Sequence, residues 1–208
     1  MKILNLYAGI GGNRKLWGDE HEITAVENNP EIAKIYQDFF PNDKVIMGDA
    51  HQYLLNYYKE YDFIWSSPPC PTWSKVRKAN ISQNKPIYPD MKLYQEILFL
   101  QGYYKGKWVV ENVISWCKPL IKPFEINKHY YWSNFNITKL GKIQQETRNM
   151  GKKENIQLHY KQKGFDLTQY KGIDKMKTIR NCVEPKAAQH IFKCAFKEQQ
   201  QTLNGDKQ

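Results

Sequence analysis

Short apolar runs alternate with amphipathic stretches over the first two-thirds of the 208-residue chain. Runs rich in β-branched and aromatic residues are typical of strands, whereas apolar positions spaced three and four apart predict helices. On this basis we predict five strands, with the sequences "KILNLY", "EITAVE", "KVIMGDA", "YDFIWSS" and "KWVVENV". Helices are predicted from near Asn13 and over "NPEIAKIYQDFF", "HQYLLNYY" and "MKLYQEILFLQGYY".

The pattern weakens after Val113. "HYYWSNFNI" (residues 129–137) predicts a strand or hairpin arm, "TIRNCV" a short strand and "EPKAAQHIFKCAF" a helix. Residues 139–177 are polar and lysine-rich, which is compatible with either a small separate lobe or a loosely ordered segment. The final residues, 197–208, form a polar tail that we expect to fray.

Strands separated by helices predict an α/β fold with a mostly parallel, doubly wound sheet that is covered on both faces. Ligands of such sheets bind beyond the carboxyl ends of the strands, at the topological switch point. The residues best suited to chemistry all fall at these ends, and they are the glycines of residues 9–12, Glu27, Asp49, Cys70 and Glu111. We therefore expect one site along this edge of the sheet.

Composition narrows the partners of this site. A net charge of +10 and a pI near 9.3 favour a polyanion, most simply nucleic acid. No apolar run approaches the roughly 20 residues needed to span a bilayer, and "MKILNLYAGIGG" does not resemble a signal peptide. The four cysteines form no CxxC pair and show no ligand-like spacing with histidine. We expect no membrane association, no bound metal and a reducing, cytoplasmic setting.

The first three strand ends predict a nucleotide-like cofactor. "YAGIGG" lacks the full GxGxxG spacing, so an ordinary tight turn is the alternative interpretation. Glu27 ends the next strand, where an acid accepts hydrogen bonds from both ribose hydroxyls, with a solvated surface acid as the alternative. Asp49 ends the third strand, where a carboxylate accepts from an adenine amino group. Together these residues indicate an adenosine-containing cofactor without specifying which one.

The fourth and fifth strand ends predict covalent chemistry. In "SSPPCPTWS" the prolines restrict the backbone on both sides of Cys70 and so hold its sulfur in place. A thiolate in such a position acts as a nucleophile. Glu111, in "VVENV", is a carboxylate that we expect across the same cleft, with a helix-capping or salt-bridged acid as the alternative.

These segments resemble the DNA (cytosine-5)-methyltransferase family. "NLYAGIGG", "VENNP", "GDA", "SSPPCPTWS" and "VVENV" occur in the order and approximate spacing of that family, and "RNCVEP" is similar to its last motif. The short form around Cys70 resembles the compact phage or prophage members. The resemblance implies a Rossmann-like class I fold, S-adenosylmethionine as cofactor with S-adenosylhomocysteine as product, and double-stranded DNA as partner.

The resemblance also implies a mechanism. Cys70 attacks carbon 6 of a cytosine that has been flipped out of the duplex, and Glu111 bonds the ring nitrogen and the amino group to stabilise the electron-rich ring; Asn112 is counted among the catalytic residues with them. It implies a set of cofactor-binding residues, namely Tyr7, Ala8, Gly9, Ile10, Gly11, Gly12, Glu27, Asn28, Asp49, Ala50, Pro69, Asn181 and Val183. The long loop after Cys70 is expected to close over DNA, with Trp73 or Gln83 as a wedge and Lys75, Arg77, Lys78 and Lys85 on phosphates.

Two departures from the family pattern concern recognition. The family's Gln-x-Arg-x-Arg element is absent, and His129 in "EINKHYYW" stands in the expected place, so it either replaces one arginine or is structural. The family's variable region has to fit within residues 138–178. It separates the two parts, residues 1–137 and 179–196, of the catalytic, cofactor-binding domain. We expect short or loose sequence recognition, helped by Arg148 and nearby lysines or by a dimer.

Three alternatives remain open. The same chemistry on RNA is equally compatible with a thiolate and a flipped base. A catalytically silent DNA-binding relative conflicts with the presence of both Cys70 and Glu111. An oxidoreductase with a nicotinamide cofactor explains the glycine loop but neither "SPPCP" nor "VVENV".

Overall fold

The computed structural model describes residues 1–79, 85–127, 129–141 and 152–197. Its seven strands form one sheet in the order β3-β2-β1-β4-β5-β7-β6. The strands are β1 (Lys2–Leu6), β2 (Glu22–Glu27), β3 (Lys44–Met47), β4 (Phe63–Ser66), β5 (Lys107–Val113), β6 (Phe124–Ile126) and β7 (His129–Ser133). The first five are parallel, whereas β7 runs antiparallel to both β5 and β6. The predicted doubly wound, mostly parallel sheet is confirmed.

Helices flank this sheet, and their ends follow local capping rules. They are α1 (Pro30–Phe39), α2 (Ala50–Tyr57), α3 (Lys75–Ala79), α4 (Lys92–Tyr103), α5 (Lys152–Lys163), α6 (Lys175–Asn181) and α7 (Pro185–Ala195). Asn29 caps α1 by accepting from the N–H groups of Glu31 and Ile32. Asp49 caps α2 in the same way, so the strand-end acid also starts the helix. Among the described residues, no helix is long and apolar enough to cross a membrane.

Successive side chains of the central strands point to opposite faces of the sheet, and both faces carry apolar side chains that helices cover. Ile64 of β4 and Val110 of β5 belong to a hydrophobic cluster with α2 and α4. Their neighbours Trp65 and Val109 belong to the cluster on the opposite face, which includes α7. All of these side chains are fully buried, as expected for the middle of a parallel sheet with helices on both sides.

Two local predictions are wrong. The helix expected near Asn13 is a single 3₁₀ turn, Arg14–Leu16, because the chain turns away at Gly18, whose φ of +90° few other residues adopt. "TIRNCV" is not a strand. Its first residues complete α6, which Asp174 caps by accepting from the N–H of Lys177.

Much of the lysine-rich region packs against the sheet domain. Tyr160, Phe165 and Leu167 are buried in a third hydrophobic cluster together with Ile35 and Phe40 of the α1 region. The described part of residues 138–178 therefore contributes to the core beside the glycine loop. Residues 142–151 of this region lie outside the described residues.

Candidate active site

The loop after β1 lies at the switch point, because the chain builds β2 and β3 on one side of β1 and then crosses to β4 on its other side. Tyr7, Gly9 and Gly11 have positive φ values of 54°, 55° and 83°. The N–H of Gly9 donates to Glu27 Oε2 at 3.0 Å. A Cβ added at Gly9 would meet no atom within 4 Å, so this part of the loop faces open space.

The other two glycines serve packing within the chain. A Cβ on Gly11 would overlap the ring of Phe40, and one on Gly12 would overlap Cys182 and the carbonyl of Val183. The "RNCVEP" segment thus returns to the glycine loop, and Val183 lies against it. Asn181 is exposed at the end of α6.

Glu27 is held by backbone donors beneath the loop. Its Oε1 accepts from the N–H groups of Asn28 and Asn29 at 3.1 and 3.0 Å, while Oε2 accepts from Gly9. A carboxylate has about four acceptor positions, so Glu27 retains capacity for a ligand hydroxyl. Its orientation is fixed before any ligand arrives.

Asp49 is more exposed than Glu27. Its Oδ1 accepts from the N–H groups of His51 and Gln52 at 2.8 and 3.4 Å. Partial burial opposes ionisation, but these two bonds and the positive charge of Lys92 outweigh it and lower the pKa of Asp49. The carboxylate therefore stays charged, and its Oδ2 lies 3.7 Å from Lys92 Nζ.

The Cys70 loop is held through its carbonyl groups. Three prolines at 68, 69 and 71 lack N–H donors, so few other backbone bonds are open to it. Asn112 Nδ2 donates to the carbonyl of Pro68 at 2.9 Å, and the N–H groups of Trp73 and Ser74 both donate to the carbonyl of Cys70 at 3.0 Å. The loop is therefore tied directly to the end of β5.

Burial raises the pKa of the Cys70 thiol, and the negative charge of Glu111 raises it further. The thiol is therefore protonated at neutral pH in this state of the protein. It has to lose a proton before it can act as a nucleophile.

The antiparallel strand β7 brings His129 to Glu111. Glu111 pairs with Tyr131 and Val113 pairs with His129, so the side chains of Glu111 and His129 lie on the same face of the sheet. Glu111 is only 7% exposed, and its Oε1 lies 3.6 Å from His129 Nε2. Asn112 points to the opposite side, where its Oδ1 accepts from the N–H of Val113 at 2.9 Å.

The predicted wedge Trp73 is contradicted by its position. Trp73 is 4% exposed, its indole N–H donates to the carbonyl of Asp90 at 2.8 Å, and its ring packs edge-on against Tyr94. Such a side chain belongs to the core and cannot enter DNA without unpacking it.

A second tryptophan, absent from the sequence prediction, lies at the surface beside this loop. Trp116 is 40% exposed, its indole N–H donates to the carbonyl of Thr72 at 3.0 Å, and Lys78 Nζ lies 5.6 Å from its ring centroid. Ser115 forms a β-bridge with Ser74, which joins the two segments. The sequence offered one indication of this surface residue, a tryptophan within the polar segment that follows β5.

The predicted phosphate ligands are distributed around α3. Lys75, Lys78 and Lys85 are exposed, while Arg77 donates to the carbonyl of Lys85 at 2.7 Å. Gln83 and Arg148 lie outside the described residues. Among the residues that the structure describes, no three His, Cys, Asp or Glu side chains are arranged to hold a metal ion.

A buried acid on α4 was also missed from the sequence. Glu96 accepts from Tyr7 Oη at 2.6 Å and from Ser66 Oγ at 2.5 Å, and its Oε1 lies 2.9 Å from His51 Nδ1. Its side chain is completely buried. We call these four residues the Glu96 network.

The sheet order and the glycine loop at its switch point are those of a Rossmann-like methyltransferase. The sequence profile of the family "C-5 cytosine-specific DNA methylase" matches residues 1–119 of the 208 residues. The chain belongs to this family and is a DNA (cytosine-5)-methyltransferase.

Several solved structures are similar to parts of the chain. A hypothetical protein from Thermus thermophilus is 14% identical with a TM-score of 0.45, over 64% of this chain and 73% of that one. A DNMT2 variant from Spodoptera frugiperda is 26% identical with a TM-score of 0.38, over 54% and 35%. A SAM-dependent methyltransferase from Agrobacterium tumefaciens is 13% identical with a TM-score of 0.41, over 56% and 40%. No curated protein sequence matches the chain significantly.

Proposed function

We propose that the protein transfers a methyl group from S-adenosylmethionine to carbon 5 of cytosine in double-stranded DNA, through a transient covalent bond between Cys70 and the base. The observation that carries the proposal is the meeting of two strand ends. The Cys70 loop follows β4, Glu111 ends the neighbouring β5, and Asn112 bonds the two together. The negative charge of Glu111 is close enough to perturb the thiol.

The cofactor proposal is supported by the fit of the glycine loop. Gly9 leaves open space above the loop, and Glu27 is oriented below it with acceptor capacity for ribose hydroxyls. Asp49 and Ala50, at the start of α2, lie along the same edge for the adenine. When bound, S-adenosylmethionine supplies an electrophilic methyl group on a sulfonium centre. S-adenosylhomocysteine is the expected product.

The residues of the chain activate the base. Cytosine is a poor nucleophile at carbon 5 until another group adds across its ring. The Cys70 thiol loses its proton to solvent, and its sulfur forms a bond to carbon 6. The carboxyl group of Glu111 takes up a proton from solvent as the base binds, donates it to the ring nitrogen and accepts a hydrogen bond from the amino group, so the negative charge gained by the ring is neutralised. After methylation carbon 5 loses its proton to solvent, the ring double bond re-forms, and the carbon–sulfur bond breaks.

The position of His129 gives it a supporting part. Its imidazole lies 3.6 Å from Glu111, on the face to which the carboxylate points. We infer that His129 orients Glu111, in the place where the family uses an arginine. Asn112 contributes through the Cys70 loop, since both of its polar groups bond backbone.

Duplex DNA as substrate is supported by the charge and apolar surface beside Cys70. A stacked base cannot reach a thiol, so it has to be flipped, and an inserted side chain fills the gap that remains. Lys75, Lys78 and Lys85 are available for phosphates. Two aromatic side chains replace Trp73 as the wedges that we propose, since Tyr88 is 95% exposed and Trp116 is 40% exposed.

A duplex containing 5-fluorocytosine tests the covalent step. Fluorine at carbon 5 cannot leave as a proton does, so the methylated adduct stays attached to Cys70. We expect a complex that survives denaturing electrophoresis and maps to Cys70 by mass spectrometry. Cys70→Ser should form no adduct and still bind S-adenosylhomocysteine, whereas the matched Cys117→Ser variant should behave as wild type. An adduct in Cys70→Ser refutes the mechanism.

Tritiated S-adenosylmethionine distinguishes the substrates. Incubation with duplex DNA or tRNA should label the DNA alone. Label in tRNA alone overturns the DNA substrate while leaving the thiol chemistry intact, and label in neither indicates a silent relative.

A further inference from the structure

Glu96 is a buried carboxylate for which the chemistry above has no use. Removing a charge from water is unfavourable unless hydrogen bonds compensate it. Three donors surround this carboxylate: Tyr7 Oη at 2.6 Å, Ser66 Oγ at 2.5 Å and His51 Nδ1 at 2.9 Å. Bonds to an ionised acceptor are the strong class of protein hydrogen bonds.

The three donors come from three separate parts of the active-site edge. Tyr7 begins the glycine loop, Ser66 ends β4 four residues before Cys70, and His51 belongs to the first turn of α2 after Asp49. The sequence separations from Glu96 are 89, 30 and 45 residues. One carboxylate on α4 therefore contacts the cofactor side and the nucleophile side of the site at once.

We propose that Glu96 is a positioning residue that fixes the glycine loop relative to the Cys70 loop. This inference rests on the proposed function. Methyl transfer requires the reacting atoms to be held about 3–3.5 Å apart, and small displacements cost much of the rate. Backbone pairing joins β1 to β4 as far as the bond from the N–H of Ser67 to the carbonyl of Leu6, and beyond it, in the part of the chain that the structure describes, no backbone hydrogen bond joins the glycines to Cys70. The Glu96 network provides a short side-chain link between their strands.

The conformation of Tyr7 supports the proposal. Tyr7 has a φ of 54°, in a region that is unfavourable for a residue with a Cβ. Such a conformation persists when surrounding contacts hold it, and such residues cluster at functional sites. The bond from its hydroxyl to Glu96 holds the Tyr7 side chain, while the bond from the N–H of Ala8 to the carbonyl of Val26 holds the backbone beside it.

His51 closes the third arm of the network. Its hydrogen bond to Glu96 raises the pKa of His51 despite partial burial, with the nearby Lys92 acting in the opposite direction. Protonation of His51, which this bond favours, places a positive charge beside the carboxylate. Glu96 thereby also fixes the start of α2, where Asp49 lies.

Two conservative variants separate the arms. Tyr7→Phe removes one hydroxyl from the cofactor arm, and we expect S-adenosylhomocysteine to bind at least tenfold more weakly by calorimetry, with the alkylation rate of Cys70 by iodoacetamide unchanged. Ser66→Ala removes one hydroxyl from the nucleophile arm, and we expect Cys70 alkylation to become at least threefold faster with cofactor binding within twofold of wild type.

Glu96→Gln should produce both effects, because an amide cannot accept all three donors. The control is Gln95→Ala, an exposed neighbour on α4 that should leave both readouts unchanged. If Glu96→Gln does not fold, Tyr7→Phe and Ser66→Ala still test the proposal. A loss of thermal stability with cofactor affinity and alkylation both at wild-type levels overturns the proposal. Neither readout needs turnover, so a wild-type protein that fails to methylate DNA refutes the proposed function instead.

Discussion

Replacing Asn112 by alanine tests how the Cys70 loop is held. The Asn112 side chain is 2% exposed and bonds two backbone groups, the carbonyl of Pro68 and the N–H of Val113, both at 2.9 Å. Alanine leaves both groups without this partner, the carbonyl of Pro68 in a buried position and the N–H of Val113 in a partly buried one. Neither proline beside Cys70 has an N–H that offers a substitute.

The expected loss follows from these two bonds. A buried backbone group that loses its partner costs about 1–3 kcal/mol, so the pair predicts roughly 2–6 kcal/mol, toward the lower end because Val113 is only partly buried. At about 2–4 °C per kcal/mol for a chain of this size, a loss near 3 kcal/mol lowers Tm by about 6–12 °C. The freed loop should also expose its thiol, so alkylation of Cys70 should become faster.

The assay is urea unfolding combined with iodoacetamide labelling, and Asn134→Ala is the matched control. Asn134 also bonds two backbone groups, the carbonyl of Gly106 and the N–H of Trp108, at the opposite end of β5. It is exposed, so water replaces its bonds, and a loss below about 1 kcal/mol is expected. Equal losses in the two variants, with Cys70 alkylation unchanged in both, would refute the assigned role of Asn112.

Two other predictions concern charge and packing. Glu111→Gln removes the negative charge that raises the pKa of Cys70, so alkylation of the thiolate should begin at lower pH than in wild type; a midpoint that stays or rises contradicts the placement of this pair. Gly12→Ala should overlap Val183 and cost about 1–3 kcal/mol in unfolding experiments. Gly9→Ala meets open space, so its cost is the strain of a positive φ, about 1–2 kcal/mol, and its main effect should be weaker binding of S-adenosylhomocysteine by calorimetry. Reversed effects in the two glycine variants would contradict the assignment of Gly9 to the ligand.

The local pattern was sufficient to predict the five parallel strands and to place the candidate site residues at their carboxyl ends. Burial on both faces imposes continuous apolar runs, and the residues after each run are then placed at one edge by the topology. Glu27 and Cys70 were predicted in this way. Their catalytic and cofactor-binding roles remain predictions.

Contacts between segments that are distant in sequence leave no periodic pattern of hydrophobic residues, so they become visible only in the tertiary structure. The sequence alone does not reveal which of Trp73 and Trp116 is buried, because each lies in a polar segment and only packing against Tyr94 distinguishes them. The clash at Gly12 is likewise invisible until Val183 returns across the fold.

The pattern of the chain by itself therefore determined the five parallel strands and the placing of Cys70 directly after one of them, since each depends on residues that are neighbours in sequence. The antiparallel return of β7 to Glu111, and the three donors that converge on Glu96, depend on side chains that come together only when the sheet is complete. Hydrogen bonding among buried polar groups is selected by distance and direction in space, and these are set by the whole fold.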